Sequence, residues 1–523
     1  MTIPRGRRVP QLSRRGFLGI TGGSAAALLL SPSAALARPD LAPRPKVNPA
    51  AGYGDLLRDP GGTLDLPRGF QYRIISQEGG KLSNGAPVPG DHDGMHAFAG
   101  KGGTVVLVRN HELKVDEDEG PEKPAVEGRN PYDRKQPGGT TGIVVGPDRK
   151  EIRSYVTSSG TATNCAGGGT PWGTWLTCEE TRDDGHGYVF EVDPNDPEND
   201  LSKTPIKAMG FFSHEATGID PSTGIVYLTE DDFRGEVDDE DPRNDTRSSF
   251  LFRYIPNDTS KRPGALQKGG KLQALALKEA PLLDMDFYAP RQRFQIEWID
   301  VTAEEPHDDA LYGGAARFNR LEGAEFKGGA FWFDDTAGGE ARLGQIYRYT
   351  PGTETLELFY EGTDVNQMEM PDNITITPWG DLWFAEDGDG ENRVMGITPE
   401  GEVYPFASHN IPSPDGEPGE RSEFAGPTFS PDGNTFFVNI QSPGITFAIW
   451  GPFDQLPGMP DSGGGGMARR SLINPGRQRL MAVAAPPAHF APRITGELAE
   501  AAVRHGLSPL ETAAFDRLGV PLL

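Results

Sequence analysis

The sequence predicts an all-β protein and, within that class, a β-propeller. Glycine and proline are abundant, at 68 and 47 of 523 residues, and long helical patterns are scarce, a turn-rich composition. Short alternating or apolar stretches recur between turn signals. Three segments also resemble one another: Asp220 to Glu230, Thr377 to Asp387 and Ser430 to Asn439. Each reads as a Pro/Gly turn, an aromatic-rich strand, then a polar residue at the strand end. Such repeats suggest propeller blades, with six the expected number. In a propeller, equivalent strand ends converge on the central channel, so residues distant in sequence can build one site. A β-sandwich or multi-sheet barrel is the alternative.

Taken in order, the chain opens on a targeting segment. Ser13-Arg14-Arg15-Gly16-Phe17-Leu18 is a twin-arginine signature, a weakly apolar stretch runs from Gly19 to Leu30, and Ala35-Leu36-Ala37 is a small-residue cleavage site. Charge, apolar run and cleavage site follow the order a signal peptide requires, so residues 1–37 are expected to be removed. An N-terminal extension (38–65) precedes the propeller (66–455). Strands are expected at Thr104–Val108, Gly187–Val192, Gly224–Thr229, Ser249–Tyr254, Ala330–Phe333, Gln345–Tyr349, Leu382–Ala385, Arg393–Thr398, Thr435–Ile440 and Thr446–Trp450. The acidic segments Val115–Gly128 and Gly235–Asp245 read as surface insertions. Residues 456–523 read as a glycine-rich linker, around Pro460–Met467, and a helical tail from Thr495 to Leu518.

The formal charge is -26, and the leader holds five arginines and no acids, so its removal makes the chain more negative still. That argues against a nucleic-acid or anionic-membrane partner. After the leader, no run is apolar enough to cross a bilayer. The expectation is an exported protein without stable membrane insertion, in the periplasmic or cell-wall space or secreted, whose export partner is the twin-arginine translocation machinery. That route carries folded proteins, often with a cofactor already in place. The acids serve solubility, and some can bind hard cations such as calcium.

Both cysteines fall in one stretch, Asn164 to Glu180, which ends in two adjacent carboxylates. In an exported protein, Cys165 and Cys178 most simply form a disulfide; ligation of a metal by one thiolate is the other reading. Further polar clusters flank expected strands: Asp91-His92-Asp93, Arg109-Asn110-His111-Glu112, Ser213-His214-Glu215, Glu230-Asp231-Asp232, Arg320-Leu321-Glu322 and Asp372-Asn373. Singly, each fits an ordinary turn or cap. Their repeated position beside propeller strands points to one shared site.

These residues carry a resemblance. Asn164–Glu180 resembles the signature of PhoX-type alkaline phosphatases, a secreted bacterial family with a twin-arginine signal. The likeness extends through Asp93-Gly94-Met95, Asn110-His111-Glu112, His214-Glu215-Ala216, Arg320-Leu321-Glu322, Asp372-Asn373 and Phe429–Gly444, and covers roughly Leu66 to Phe453. The resemblance implies a propeller holding iron(III) and calcium that hydrolyses phosphate monoesters. The iron-binding cysteine falls on Cys165, which leaves Cys178 as a small buried strand residue. Carboxylate ligands fall on Glu215, Glu322 and the Glu179–Glu180 pair, with Asp93, Glu112, Asp231 and Asp372 as further metal ligands. Arg320 is the implied catalytic residue, since its guanidinium can hold two phosphate oxygens at once. The family's Arg-Pro-Glu appears here as Arg320-Leu321-Glu322, and its Gly-Asp-Asp as Glu230-Asp231-Asp232. His111 and His214 either orient neighbouring ligands or are hydrogen-bonded histidines beside a strand. Two other readings stand beside this one: a calcium-dependent lactonase or phosphotriesterase propeller, which needs no thiolate, and a non-catalytic binding propeller with structural calcium.

Overall fold

Aromatic and β-branched residues suit a pleated, buried surface, and the expected strands all form. The computed structural model describes residues 47–115, 123–235, 246–278, 280–388, 390–414 and 420–456. The expected leader, the stretch Pro460–Met467 and the tail Thr495–Leu518 lie outside the described residues, as does part of each acidic insertion.

The first sheet is an antiparallel meander of His92–Ala99, Val105–His111, Gly138–Val145 and Glu151–Thr161. Next comes a three-stranded sheet, Asn164–Gly169, Trp175–Glu179 and Val189–Val192. A nine-stranded sheet contains two further meanders, begun by His214–Ile219 and Leu321–Lys327, which Arg293–Val301 joins along their outer edges. The sheet begun by Pro371–Ile376 is extended outward by Leu64–Pro67 and Leu56–Leu57. The last sheet takes Phe424–Phe429, Phe436–Ile440 and Ile445–Trp450 from the C-terminal part and Gln71–Gln77 from the N-terminal part. This pairing closes the ring, because an early and a late strand of the described residues share one sheet. The innermost strands neighbour one another in chain order, and Phe424–Phe429 returns to His92–Ala99. The architecture is propeller-like and nearly all β.

Core residues lie between the sheets. Trp379, Trp383, Phe406, Phe424, Phe436 and Phe453 form one aromatic cluster, while Phe318, Phe331, Phe333, Tyr347 and Tyr349 belong to another. The one α-helix among the described residues, Pro306–Gly313, lies outside the expected elements. Its signals are local: proline in the first turn, acids at Asp308 and Asp309, and Gly314 in the left-handed region at φ 86° after its end. These suit the helix dipole and the need for a glycine stop.

Candidate metal centre

Each innermost strand starts at the same end of the channel and carries a β-bulge there. The register shifts between His92 and Met95, Asn164 and Gly167, His214 and Thr217, Leu321 and Ala324, Pro371 and Ile374, and Ala425 and Thr428. A bulge re-aims side chains at a strand end. The second residues of these strands are Asp93, Cys165, Glu215, Glu322, Asp372 and Ala425. The residues just after the neighbouring strands form a second set: Glu112, Glu180, Asp231, Thr336, Asp387 and Gln441. One backbone bond recurs at every junction: the N–H of each residue in that second set donates to the carbonyl of the residue two before its bulged partner, at 2.8–3.2 Å. Six equivalent junctions thus place most of the predicted site residues in equivalent positions.

Three of them converge. Donor atoms of Cys165, Glu180 and Glu215 lie within 4.8 Å of one another. Burial pushes the Cys165 thiol well above its ordinary pKa, and the nearby Glu215, Glu180 and Asp93 carboxylates add to this. The thiol rests on the His214 carbonyl at 3.2 Å. Both cysteines are free and buried, so the disulfide is not formed; Cys178 sits in the core beside Leu176 and Val189. Glu179 stands apart from the cluster. It accepts hydrogen bonds from the Ala162, Gly187 and Tyr188 amides and from His186 Nδ1, at 2.7–3.2 Å, which tie its own sheet together.

The remaining predicted residues form two more groups. Gln441 Nε2 donates to Asp93 Oδ2 at 3.3 Å and to Glu112 Oε2 at 2.6 Å, linking that pair. Arg320 is a non-glycine residue in the left-handed region, at φ 69°. Its guanidinium donates to Asp231 at 3.1–3.3 Å and also to Glu322, and lies over the Phe233 ring, 4.9 Å from its centroid. Asp372 meets two residues that sequence reasoning missed: Asp387 and Glu423 bring ligand atoms within 4.8 Å of it and of one another. A signal for Asp387 existed, since Glu386-Asp387 repeats the strand-end Glu230-Asp231 pattern.

Glu230, Asp232 and His307 also lie close together. Their polar atoms are engaged internally. His307 Nδ1 is 3.0 Å from both Glu230 oxygens, and Arg234 Nε is 2.8 Å from Asp232 Oδ2. The trio reads as a hydrogen-bonded network that fastens the helix to the sheet. His214 Nε2 bonds to the Gly210 carbonyl at 3.0 Å, and burial lowers its pKa to about 3. It thus stays neutral and orients the strand that carries Glu215.

Beneath the ring the inner strands come very close. The next positions along them are Gly94, Ala166, Ala216, Gly323, Asn373 and Gly426. A Cβ on Gly94 would lie 2.6 Å from Ala166 Cα, one on Gly323 2.1 Å from the Asp372 carbonyl, and one on Gly426 2.6 Å from the Asp93 carbonyl. Glycine is required at these three approaches, and Ala166, Ala216 and Asn373 take the other positions. They form a floor under the carboxylates. A cavity of about 1400 Å³ opens on the other side of this floor, lined in part by His96, Trp175, Glu325, Thr375 and Phe429.

The sequence profile of the family described as alkaline phosphatase PhoX matches residues 51–444. The chain belongs to the PhoX family. Membership makes it a phosphatase of the PhoX type, as the resemblance implied. Among solved structures, it is similar to Pseudomonas fluorescens PhoX in complex with vanadate, a transition state analogue, at 20% identity and a TM-score of 0.55, over 78% of this chain and 98% of that one. A gluconolactonase of Xanthomonas campestris aligns at 13% identity and a TM-score of 0.39, over 79% of this chain and 99% of that one. No curated protein sequence matches. Among the described residues, no helix is long and apolar enough to cross a membrane.

Proposed function

We propose that this PhoX-family chain is an exported phosphomonoesterase that works with iron(III) and calcium held at the ring of bulged strands, on a propeller of six blades. The observation that carries this reading is the buried Cys165 thiol grouped with the half-buried Glu180 and the buried Glu215. A buried thiol among carboxylates cannot ionise without a cation, and a highly charged metal relieves all of these groups together. The donor set therefore fits the implied metals. Thiolate with carboxylates at Cys165, Glu180, Glu215 and Glu322 suits iron. The all-oxygen groups Asp93, Glu112, Asp231, Asp372, Asp387 and Glu423 suit calcium.

Bound cations would supply Lewis acidity and neutralise the charge of a phosphate monoester dianion. The chain's own contribution is Arg320. Its left-handed backbone directs the guanidinium at Asp231 and Glu322, and the same fork matches two phosphoryl oxygens. Asp231 and Glu322 hold that fork before substrate arrives, and Phe233 supports it from one side. The leader at residues 1–37 supports export by the twin-arginine machinery to the periplasmic or cell-wall space.

The test is direct. Purified mature protein is analysed for iron and calcium and assayed with p-nitrophenyl phosphate at alkaline pH. Bound iron with turnover, both lost in Cys165→Ala, supports the proposal. Protein that gains neither iron nor activity on metal reloading overturns it, and a Cys165→Ser variant fully active with calcium alone favours the lactonase or phosphotriesterase reading.

A further inference from the structure

Arg109 is wholly buried, yet every side chain it bonds is neutral. Its Nη1 donates to His92 Nδ1 at 3.0 Å and to Thr446 Oγ1 at 2.6 Å. Its Nη2 donates to Thr141 Oγ1 at 3.1 Å and lies 3.5 Å from His111 Nε2. Burial draws its pKa down to about 9. Burying a cation without a carboxylate partner is costly, so the arrangement calls for a reason beyond packing.

The reason lies in what the bonded groups hold. His92 Nε2 faces the Pro89 carbonyl at 3.1 Å, and His111 Nδ1 faces the Gly90 carbonyl at 2.7 Å. A guanidinium can only donate, and a carbonyl can only accept. His92 is therefore neutral, with its protonated nitrogen on the carbonyl and its bare one on Arg109; His111 Nε2 meets Arg109 chiefly through Thr141, whose Oγ1 lies 2.8 Å from it and accepts from Arg109. His92 precedes Asp93, and His111 precedes Glu112. The same one-way logic runs across the ring seam. Thr446 accepts from Arg109 and donates to Asn439 Oδ1 at 2.6 Å, and Asn439 Nδ2 donates to the Asp93 carbonyl at 2.6 Å. Thr446 and Asn439 belong to the last sheet, Arg109 and Asp93 to the first.

We propose that Arg109 is a positioning residue: it fixes the Asp93 and Glu112 side chains as one ligand pair across the seam where the first and last sheets meet. This rests on the reading of the ring as a cation-binding centre. A carboxylate partner for Arg109 would compete with the ring for the cation, whereas neutral imidazoles and hydroxyls orient it without competing.

The test is calcium titration by calorimetry of full-length mature protein stripped of metal by a chelator. Arg149 supplies the control, because it joins the same two sheets elsewhere, bonding Thr435 Oγ1 at 3.1 Å beside Trp450. Arg109→Met is expected to weaken calcium binding by about tenfold or more, the scale seen for groups that orient metal ligands. Arg109→Lys recovers part of this, and Arg149→Met lowers the melting temperature while leaving calcium affinity unchanged. If Arg109→Met does not fold, Thr446→Val decides, since it breaks the chain to Asn439 with little change in shape. Wild-type calcium affinity in Arg109→Met, or in Thr446→Val where that variant decides, or equal weakening by Arg149→Met, overturns the role of Arg109 alone. Wild-type protein that takes up no calcium overturns the cation reading and this inference with it.

Discussion

At the scale of single residues, two neighbours divide the work at one strand end. Glu179 is spent on four hydrogen bonds to the segments flanking its sheet, and Glu180 faces Cys165 and Glu215. Glu180→Gln should therefore lower iron affinity by roughly tenfold or more, read by metal analysis after dialysis. Glu179→Gln should instead keep iron and cost about 1–3 kcal/mol of stability, read by denaturant unfolding. The sequence put both residues at the site but did not separate them, because which side chain turns inward depends on the bulge opposite, and bulges leave no mark in residue spacing. Asp387 and Glu423 stayed hidden for a related reason. One precedes Gly-Asp-Gly in the sequence and the other follows Arg-Ser, so each looks like an acid of an ordinary exposed loop. That Cys165 and Glu215 would lie together was expected only through family likeness, since composition alone favoured a disulfide for Cys165.

At the scale of elements, the inner strands carry opposite demands, large ligands at their ends and small residues just beyond. Gly323→Ala would force a Cβ to within 2.1 Å of the Asp372 carbonyl. Backbone cannot yield as a side chain does, so the variant should lose about 1–3 kcal/mol or more, and its metal content should fall with it because Asp372 moves. Thermal melting beside metal analysis checks both. A different element contributes to acid sensitivity. His409, wholly buried, faces the Ser422 carbonyl through Nε2 at 2.7 Å and accepts from the Ile411 amide through Nδ1 at 3.2 Å. Burial lowers its pKa from 6.5 to about 4. The unfolded ring takes up a proton near 6.5 and the folded one only near 4, so this group's stabilisation is complete above pH 6.5 and lost as pH falls towards 4. The loss reaches about 3 kcal/mol. His409→Gln should flatten that part of the stability profile, measured by urea unfolding at stepped pH. The strands themselves were readable from aromatic alternation. The bulges and the helix Pro306–Gly313 were not, the helix being short and its signals confined to its caps.

At the scale of the whole molecule, the ring is shut by pairing Gln71–Gln77 with Ile445–Trp450, and acids from every part of the chain meet at one end. On the proposed reading of the ring as a cation-binding centre, their mutual repulsion opposes closure until cations bind. Metal removal should therefore cost stability well beyond the site; a cation at a thousandfold its Kd adds about 4 kcal/mol. A chelator should lower the melting temperature by several degrees, and calcium with iron should restore it. An unchanged transition would show that the ring closes without cations. The floor has a further consequence for how the ring and the cavity are separated. At Gly94, Gly323 and Gly426 main chain lies against main chain, so the acidic ring and the cavity on the other side are divided by backbone rather than by side chains that could swing aside.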